Sequence, residues 1–161
     1  MKVISILQPW ASLIIEGHKK IETRSWNTKY RGELLIHASK AWGKRQFMLN
    51  QEPFFKEFYD KLEPLTGGIY TGLPGIPLGA IIGKVNLVST IETEELWSNQ
   101  SIGDGCYNEW TIHEEFGGSK ELAFGDYSPN RFGWLLSDPI IFEKPIPAKG
   151  KLGLWEYDWK G

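Results

Sequence analysis

The sequence predicts a mixed α/β (α+β) domain built on a small β-barrel with flanking helices. Three observations carry that expectation. Strand-like runs recur along the chain, at 3–7, 33–38 and 78–91, the first and last rich in Ile and Val, while helical periods are few and short. The longest run, L-G-A-I-I-G-K-V-N-L-V-S-T-I, contains Gly79 and Gly83, and glycine inside a strand marks a bulge or bend of the kind that curls a sheet into a barrel. Pro139, Pro145 and Pro147 punctuate the last strands, where proline fits an edge because it donates nothing to the ladder. A length of 161 residues suits one domain, 1–161, with a core large enough to need no staples.

In chain order, Val3–Leu7 reads as a short strand. Gln8-Pro9 ends it and places proline, with its preset φ and missing donor, at the first position of a helix over Pro9–Glu16. Gly17 closes the helix. Trp10, Leu13 and Ile14 recur at i, i+3, i+4, and Ala11 and Ile15 cover much of the rest, so most of this helix is expected to be buried. The pattern then alternates. Ile21, Thr23 and Ser25 fall on one side of a strand and Glu22, Arg24 and Trp26 on the other, with Lys19 in the turn before it. Tyr30-Arg31-Gly32 leads to a third strand, Glu33–Ala38, that contains His37.

Lys40–Asn50 and Pro53–Leu62 read as two helical pieces separated or kinked at Pro53. Phe54, Phe55, Phe58, Tyr59 and Leu62 form an apolar stripe assigned to core packing, and Trp42, Lys44 and Arg45 sit at the start of the first piece. Residues 66–77 are a Gly/Pro-rich excursion without the Gly-Lys-Ser/Thr ending of a phosphate loop. Leu78–Ile91 is the strongest strand. Thr93–Trp97 reads as a short capped helical turn, and 98–125 as a polar excursion with a short helix near Asn108–Phe116. Asp126-Tyr127-Ser128-Pro129-Asn130 is turn chemistry leading into a strand over Arg131–Ser137. Ile140–Phe142 and Leu152–Tyr157 read as the final strands.

A carboxylate, a guanidinium, an ammonium and an indole on one side of a single strand make a polar site with a stacking wall. The plainer alternative is a surface ion pair between Glu22 and Arg24, worth about 0–1 kcal/mol, beside a core Trp26. Gln8-Pro9-Trp10-Ala11, Gly17-x-Lys19-x-x-Glu22-x-Arg24-x-Trp26 and Arg31-Gly32 together resemble the signature of the ASCH domain, a member of the PUA-like superfamily. The resemblance covers residues 4–39 firmly, and 79–88 and 125–155 more loosely. It implies a PUA-like barrel in which the first helix and the late loop bracket a cleft holding Lys19, Glu22, Arg24 and Trp26. Tyr127, Ser128 and Arg131 are then candidates for the far wall, against the alternative of a packed turn.

Bulk properties narrow the function classes. A single cysteine, Cys106, excludes an internal disulfide. No apolar run approaches the roughly 18–20 residues that span a bilayer, and a signal-peptide pattern is absent, so a soluble, cytoplasmic or nucleoid-associated protein is expected. Scattered His18, His37 and His113 with one cysteine do not make metal-ligand spacing; neither metal nor cofactor is expected. Net charge is −2, yet residues 1–50 hold nine Lys or Arg against three Glu, while the remainder holds nine against seventeen acidic residues. That asymmetry is what a local phosphate-facing patch would leave.

Three functions follow. The first is a nucleic-acid binding module for RNA or DNA, with a basic, aromatic-lined cleft. Lys19, Arg24, Arg31 and Lys29 would hold phosphates, Trp10, Trp26 or Tyr127 would stack an unpaired base, and Glu22 would accept from its amino edge. The resemblance implies the same partner class. The second is a hydrolase acting on a modified nucleoside or nucleotide. Relatives in the superfamily include amidohydrolases of acylated cytidine, and the resemblance puts Lys19 at their motif lysine but Glu22 where they carry a threonine nucleophile. Here Lys19 and Glu22 would be the catalytic pair, Glu22 as general base for water. The third is a peptide-binding surface of exposed aromatics.

Overall fold

The computed structural model describes residues 1–43, 46, 48, 49, 52–56, 60, 76–102 and 107–160, without the side chains of 98–102 and 107–110. Lys44, Arg45, Phe58, Tyr59, Leu62, Cys106 and most of the 66–77 excursion lie outside the described residues.

The architecture is mixed α+β around one curled sheet. Its strands are β1 (Lys2–Ile6), β2 (Ile21–Arg24), β3 (Gly32–Ala38), β4 (Ala80–Glu92), β7 (Phe132–Pro147) and β8 (Leu154–Glu156). They lie in the order β2-β7-β4-β3-β1-β8. β1 and β3 are parallel and every other pair is antiparallel. β5 (Trp97–Ile102) and β6 (Tyr107–Ile112) form a separate hairpin.

The curl has a local cause. The register shifts between Ile36 and His37 on β3, and between Ile81 and Gly83 on β4, and such bulges bend a strand and raise its twist. At Gly83 a Cβ would lie 2.3 Å from the Ile140 carbonyl oxygen, so glycine lets β7 cross β4 closely. The expected barrel is thus a half-barrel, with β2 and β8 as its free edges among the described strands. Arg24 on β2 nevertheless reaches β1, four places away in the sheet order, and donates from Nη2 to the Ser5 carbonyl at 2.9 Å.

The hollow of the sheet is filled by α1 (Trp10–Ile15). Ala11, Ile14 and Ile15 pack against Ile4, Ile36, Val85, Leu87 and Trp134, while Leu13 turns toward Phe55, Ile76 and Phe124. Each fully buried aliphatic side chain contributes about 1.5–3 kcal/mol, enough to hold a six-residue helix that would not persist alone. Pro9 occupies the cap rather than the first helical position. Gln8 takes over the capping role: its Oε1 accepts from Ser12 N at 3.0 Å, and its Nε2 donates to Ser12 Oγ and the Pro77 carbonyl. Gly17 ends the helix at φ +78°.

Three other expectations change. The helix expected near 108–116 is strand β6 followed by a 3-10 turn, Glu114–Phe116, because the hairpin partner β5, remote from any helical period, claims the backbone of 107–112. Thr93–Leu96 is a 3-10 turn without a side-chain cap, and Trp97 opens β5. The late strands at 131–137 and 140–142 are one strand, β7, whose ladder skips Asp138 and Pro139. Asp138 adopts φ +51° and proline lacks the donor, so the irregularity interrupts the pairing without ending the strand. The excursion at 98–125 also holds a helix, α2 (Gly118–Ala123).

Candidate functional site

Two residues of β2 define the site. Ile21 and Thr23 turn inward, so alternation carries Glu22 and Arg24 to the opposite face. Glu22 Oε1 and Arg24 Nη2 are 3.1 Å apart, with side chains only 12% and 24% exposed. Because Nη2 also holds the Ser5 carbonyl, the guanidinium is fixed in place. Its Nε is buried and has no hydrogen-bond partner among the described residues.

These side chains line a cleft of about 300 Å³ at the end of β1. Trp10 and Phe55, edge to face at 6.1 Å, form an apolar wall, and Phe124, Gly125 and Asp126 close the far side. Asp126 is tied to Arg131: its carboxylate is 3.4 Å from Nη1 and its carbonyl accepts from Nε at 3.0 Å. Arg131 also donates to the Thr23 carbonyl, which clamps the late loop to β2. Among the described residues the cleft therefore carries one guanidinium and two carboxylates, whereas the charge asymmetry of residues 1–50 led to a basic one.

Lys19 lies elsewhere. It is 2% exposed, and its ammonium sits 3.2 Å from Glu121 Oε1 and 5.8 Å from the centre of the Tyr127 ring. Glu121, on α2, collects four donors: Lys19 Nζ, the backbone N–H groups of Lys20 and Ile21, and the Tyr127 hydroxyl at 2.8 Å. Burial, then the Glu121 charge and hydrogen bond, then the Glu22 charge push the Tyr127 hydroxyl far above its usual value. The phenol is a permanent donor. Lys19 and Tyr127 thus form a buried network behind β2, not the surface shared with Glu22 that the sequence suggested.

The other expected residues disperse. β2 stops at Arg24 and Ser25 bends, so Trp26 leaves the alternating face and packs edge-on against Trp134 at 4.8 Å and 87°. Arg31 donates to the carbonyls of Thr28 and Tyr30 and to Thr90 Oγ1. Ser128 is exposed; its N–H caps Asp126 Oδ1 and its carbonyl accepts from Thr93. Trp10, Glu22 and Arg24 are the candidates brought together. Glu121, Asp126 and Ser5 went unnoticed in the sequence. A glutamate in a short polar helix carries no signal that distinguishes it from a solvated face.

The family model described as the ASCH domain matches residues 4–145. The chain belongs to the ASCH domain family. This ASCH chain is also 26% identical over 158 residues to activating signal cointegrator 1 of Homo sapiens, and 28% identical over 157 residues to its Mus musculus counterpart. Each alignment covers 98% of the chain but 22% of the relative, so the chain spans about a fifth of the curated relatives it matches. Among solved structures, the ASCH protein of Zymomonas mobilis aligns at 15% identity and TM-score 0.44, covering 90% of this chain and 71% of the other. A mutant form of it aligns at 17% and 0.43, covering 90% and 73%. ASCH domains are commonly nucleic-acid-related, and no helix among the described residues is long and apolar enough to cross a membrane.

Proposed function

We propose that this ASCH domain is a nucleic-acid binding module that receives an unpaired base of RNA or DNA in the cleft beside Arg24. The observation that supports it is the side-by-side placement of Glu22 and Arg24, an acceptor and a donor, on the floor of a cleft with an indole wall. A base needs that combination: hydrogen bonds to its edge and a flat apolar surface for its face. The volume of about 300 Å³ is at the small end of ligand sites, suited to a single base. The internally paired charges supply recognition of a polar edge rather than a strong attraction for phosphate.

Hydrolysis of a modified nucleoside has less support, because the ammonium of Lys19 is held by Glu121 behind β2 and Glu22 is engaged by Arg24. One assay addresses both readings. Short single-stranded RNA and DNA and a panel of acylated nucleosides are incubated with the protein, and binding and product are recorded. Oligonucleotide binding that weakens about tenfold in Glu22→Gln, with no product, is the expected result. Unchanged affinity in a folded Glu22→Gln variant removes the cleft from binding, and nucleoside turnover lost in that variant replaces the binding reading with the hydrolytic one.

A further inference from the structure

Ser5 has a second side. Its carbonyl holds Arg24 in the cleft just described, while its hydroxyl accepts from Trp155 Nε1 at 3.2 Å and lines a larger cavity of about 890 Å³. This cavity lies between the end of β3 and the strap that joins β7 to β8. Among the described residues its charged lining is Lys40, Lys149 and Lys151, with no carboxylate. None of these three ammonium groups has a carboxylate partner among the described residues.

The floor is rigid. His37 is 2% exposed and its Nε2–H donates to the Ala148 carbonyl at 3.0 Å. Its Nδ1 is buried without a partner among the described residues, and desolvation holds the ring below its ordinary pKa, so near neutral pH the floor adds little charge to compete with the lysines. Gly150 presses directly on this floor. A Cβ there would lie 2.6 Å from His37 Cε1 and 2.9 Å from Ser5 Oγ, so only glycine lets the strap sit down. Lys149 and Lys151 are thereby pinned on either side of a fixed point, with the Lys151 ammonium 5.7 Å from the Trp155 ring. Lys40 is steered from the other wall, its stem lying across Gly79, where a Cβ would come within 2.6 Å of Lys40 Cγ.

We infer that this lysine-lined cavity binds phosphate groups of the same nucleic-acid strand whose base enters the Glu22–Arg24 cleft. The inference rests on that reading for its ligand class and extends it: the two clefts share Ser5 as their partition, so one strand would place a base on one side and its phosphodiester backbone on the other. Unpaired ammonium groups over a neutral floor are what backbone binding requires, since each releases a counterion on contact and none must first break an ion pair.

The test is fluorescence polarisation of labelled single-stranded RNA and DNA across a salt series, using wild type, Lys40→Gln/Lys149→Gln/Lys151→Gln and Glu22→Gln, with unlabelled inorganic phosphate and a nucleoside as competitors. For a single strand the slope of log affinity against log salt is about −0.7 per phosphate contact. The triple variant is expected to lower the magnitude of the slope by about 2 and to bind about a hundredfold more weakly near 0.1 M salt, while nucleoside binding stays as in wild type. Unchanged oligonucleotide affinity and slope in the triple variant overturn the inference. So does inorganic phosphate that displaces the oligonucleotide as effectively as an unlabelled strand, which would mark a site for free anions. If the triple variant loses binding and Glu22→Gln does not, the phosphate cavity stands and the base-cleft reading fails. The three lysines are exposed, and an unchanged melting temperature verifies that the loss is not unfolding.

Discussion

The two clefts on either side of Ser5 hold charge in opposite ways. In the smaller, Arg24 is matched by Glu22, and the lining carboxylate of Asp126 is matched by Arg131 outside it. In the larger, among the described residues, three lysines face the cavity without a carboxylate. Matched charges are oriented groups with little net field; they discriminate one polar edge from another. Unmatched charges attract any phosphate and discriminate little. Charge counted along a sequence therefore says less than charge counted after pairing: of the basic residues in the first fifty, Lys2, Lys19 and Arg24 are engaged by Glu156, Glu121 and Glu22.

That contrast can be broken most forcefully at Lys19. If its ammonium serves only Glu121, Lys19→Met leaves a buried carboxylate uncompensated and costs about 3–5 kcal/mol of stability, read from urea denaturation. A stable Lys19→Met variant with weakened oligonucleotide binding would return Lys19 to the ligand surface. Next is the indole wall. Trp10→Leu keeps an apolar side chain in the core but removes the stacking face, and should cost about 1–3 kcal/mol of oligonucleotide affinity; equal affinity by titration calorimetry would assign Trp10 to packing alone.

The floor of the lysine cavity gives a smaller effect with a definite sign. His37 has its pKa lowered in the fold, so the unfolded chain takes up its proton first as pH falls through 6.5. Stability should therefore decline on acidification, by at most about 1.4 kcal/mol per pH unit from this group. His37→Gln should flatten that part of the melting-temperature profile, and an unaltered profile would show that His37 takes up its proton without cost. Smallest of all is Arg31→Gln. Its guanidinium serves neighbouring carbonyls and Thr90, so stability should move within about 0.5 kcal/mol and the salt dependence of binding should hold; a shallower slope would make Arg31 a phosphate contact.

Much of the sheet was legible because local rules and tertiary packing agree there. β1, α1, β2, β3 and β4 lie close to their expected bounds, and alternation on β2 correctly put Glu22 and Arg24 on one face. Trp26 escaped because alternation says nothing about where a strand stops. The β5–β6 hairpin escaped because W-S-N-Q-S-I and Y-N-E-W-T-I are too polar to show a strand's apolar face. The lysine cavity was invisible for a different reason. Lys40 and Lys149 are more than a hundred residues apart in sequence, and they meet only because β3 pairs with β4, and β4 with the last residues of β7.

The donors gathered by Glu121 have one more consequence. β2 is a free edge of the sheet, and a free edge offers unpaired backbone groups to any passing strand. Here the Ile21 N–H is taken by Glu121 and the Thr23 carbonyl by Arg131. Two side chains thus stand where a neighbouring strand would pair, and the edge that frames the smaller cleft is closed to β-addition and to the aggregation that begins with it.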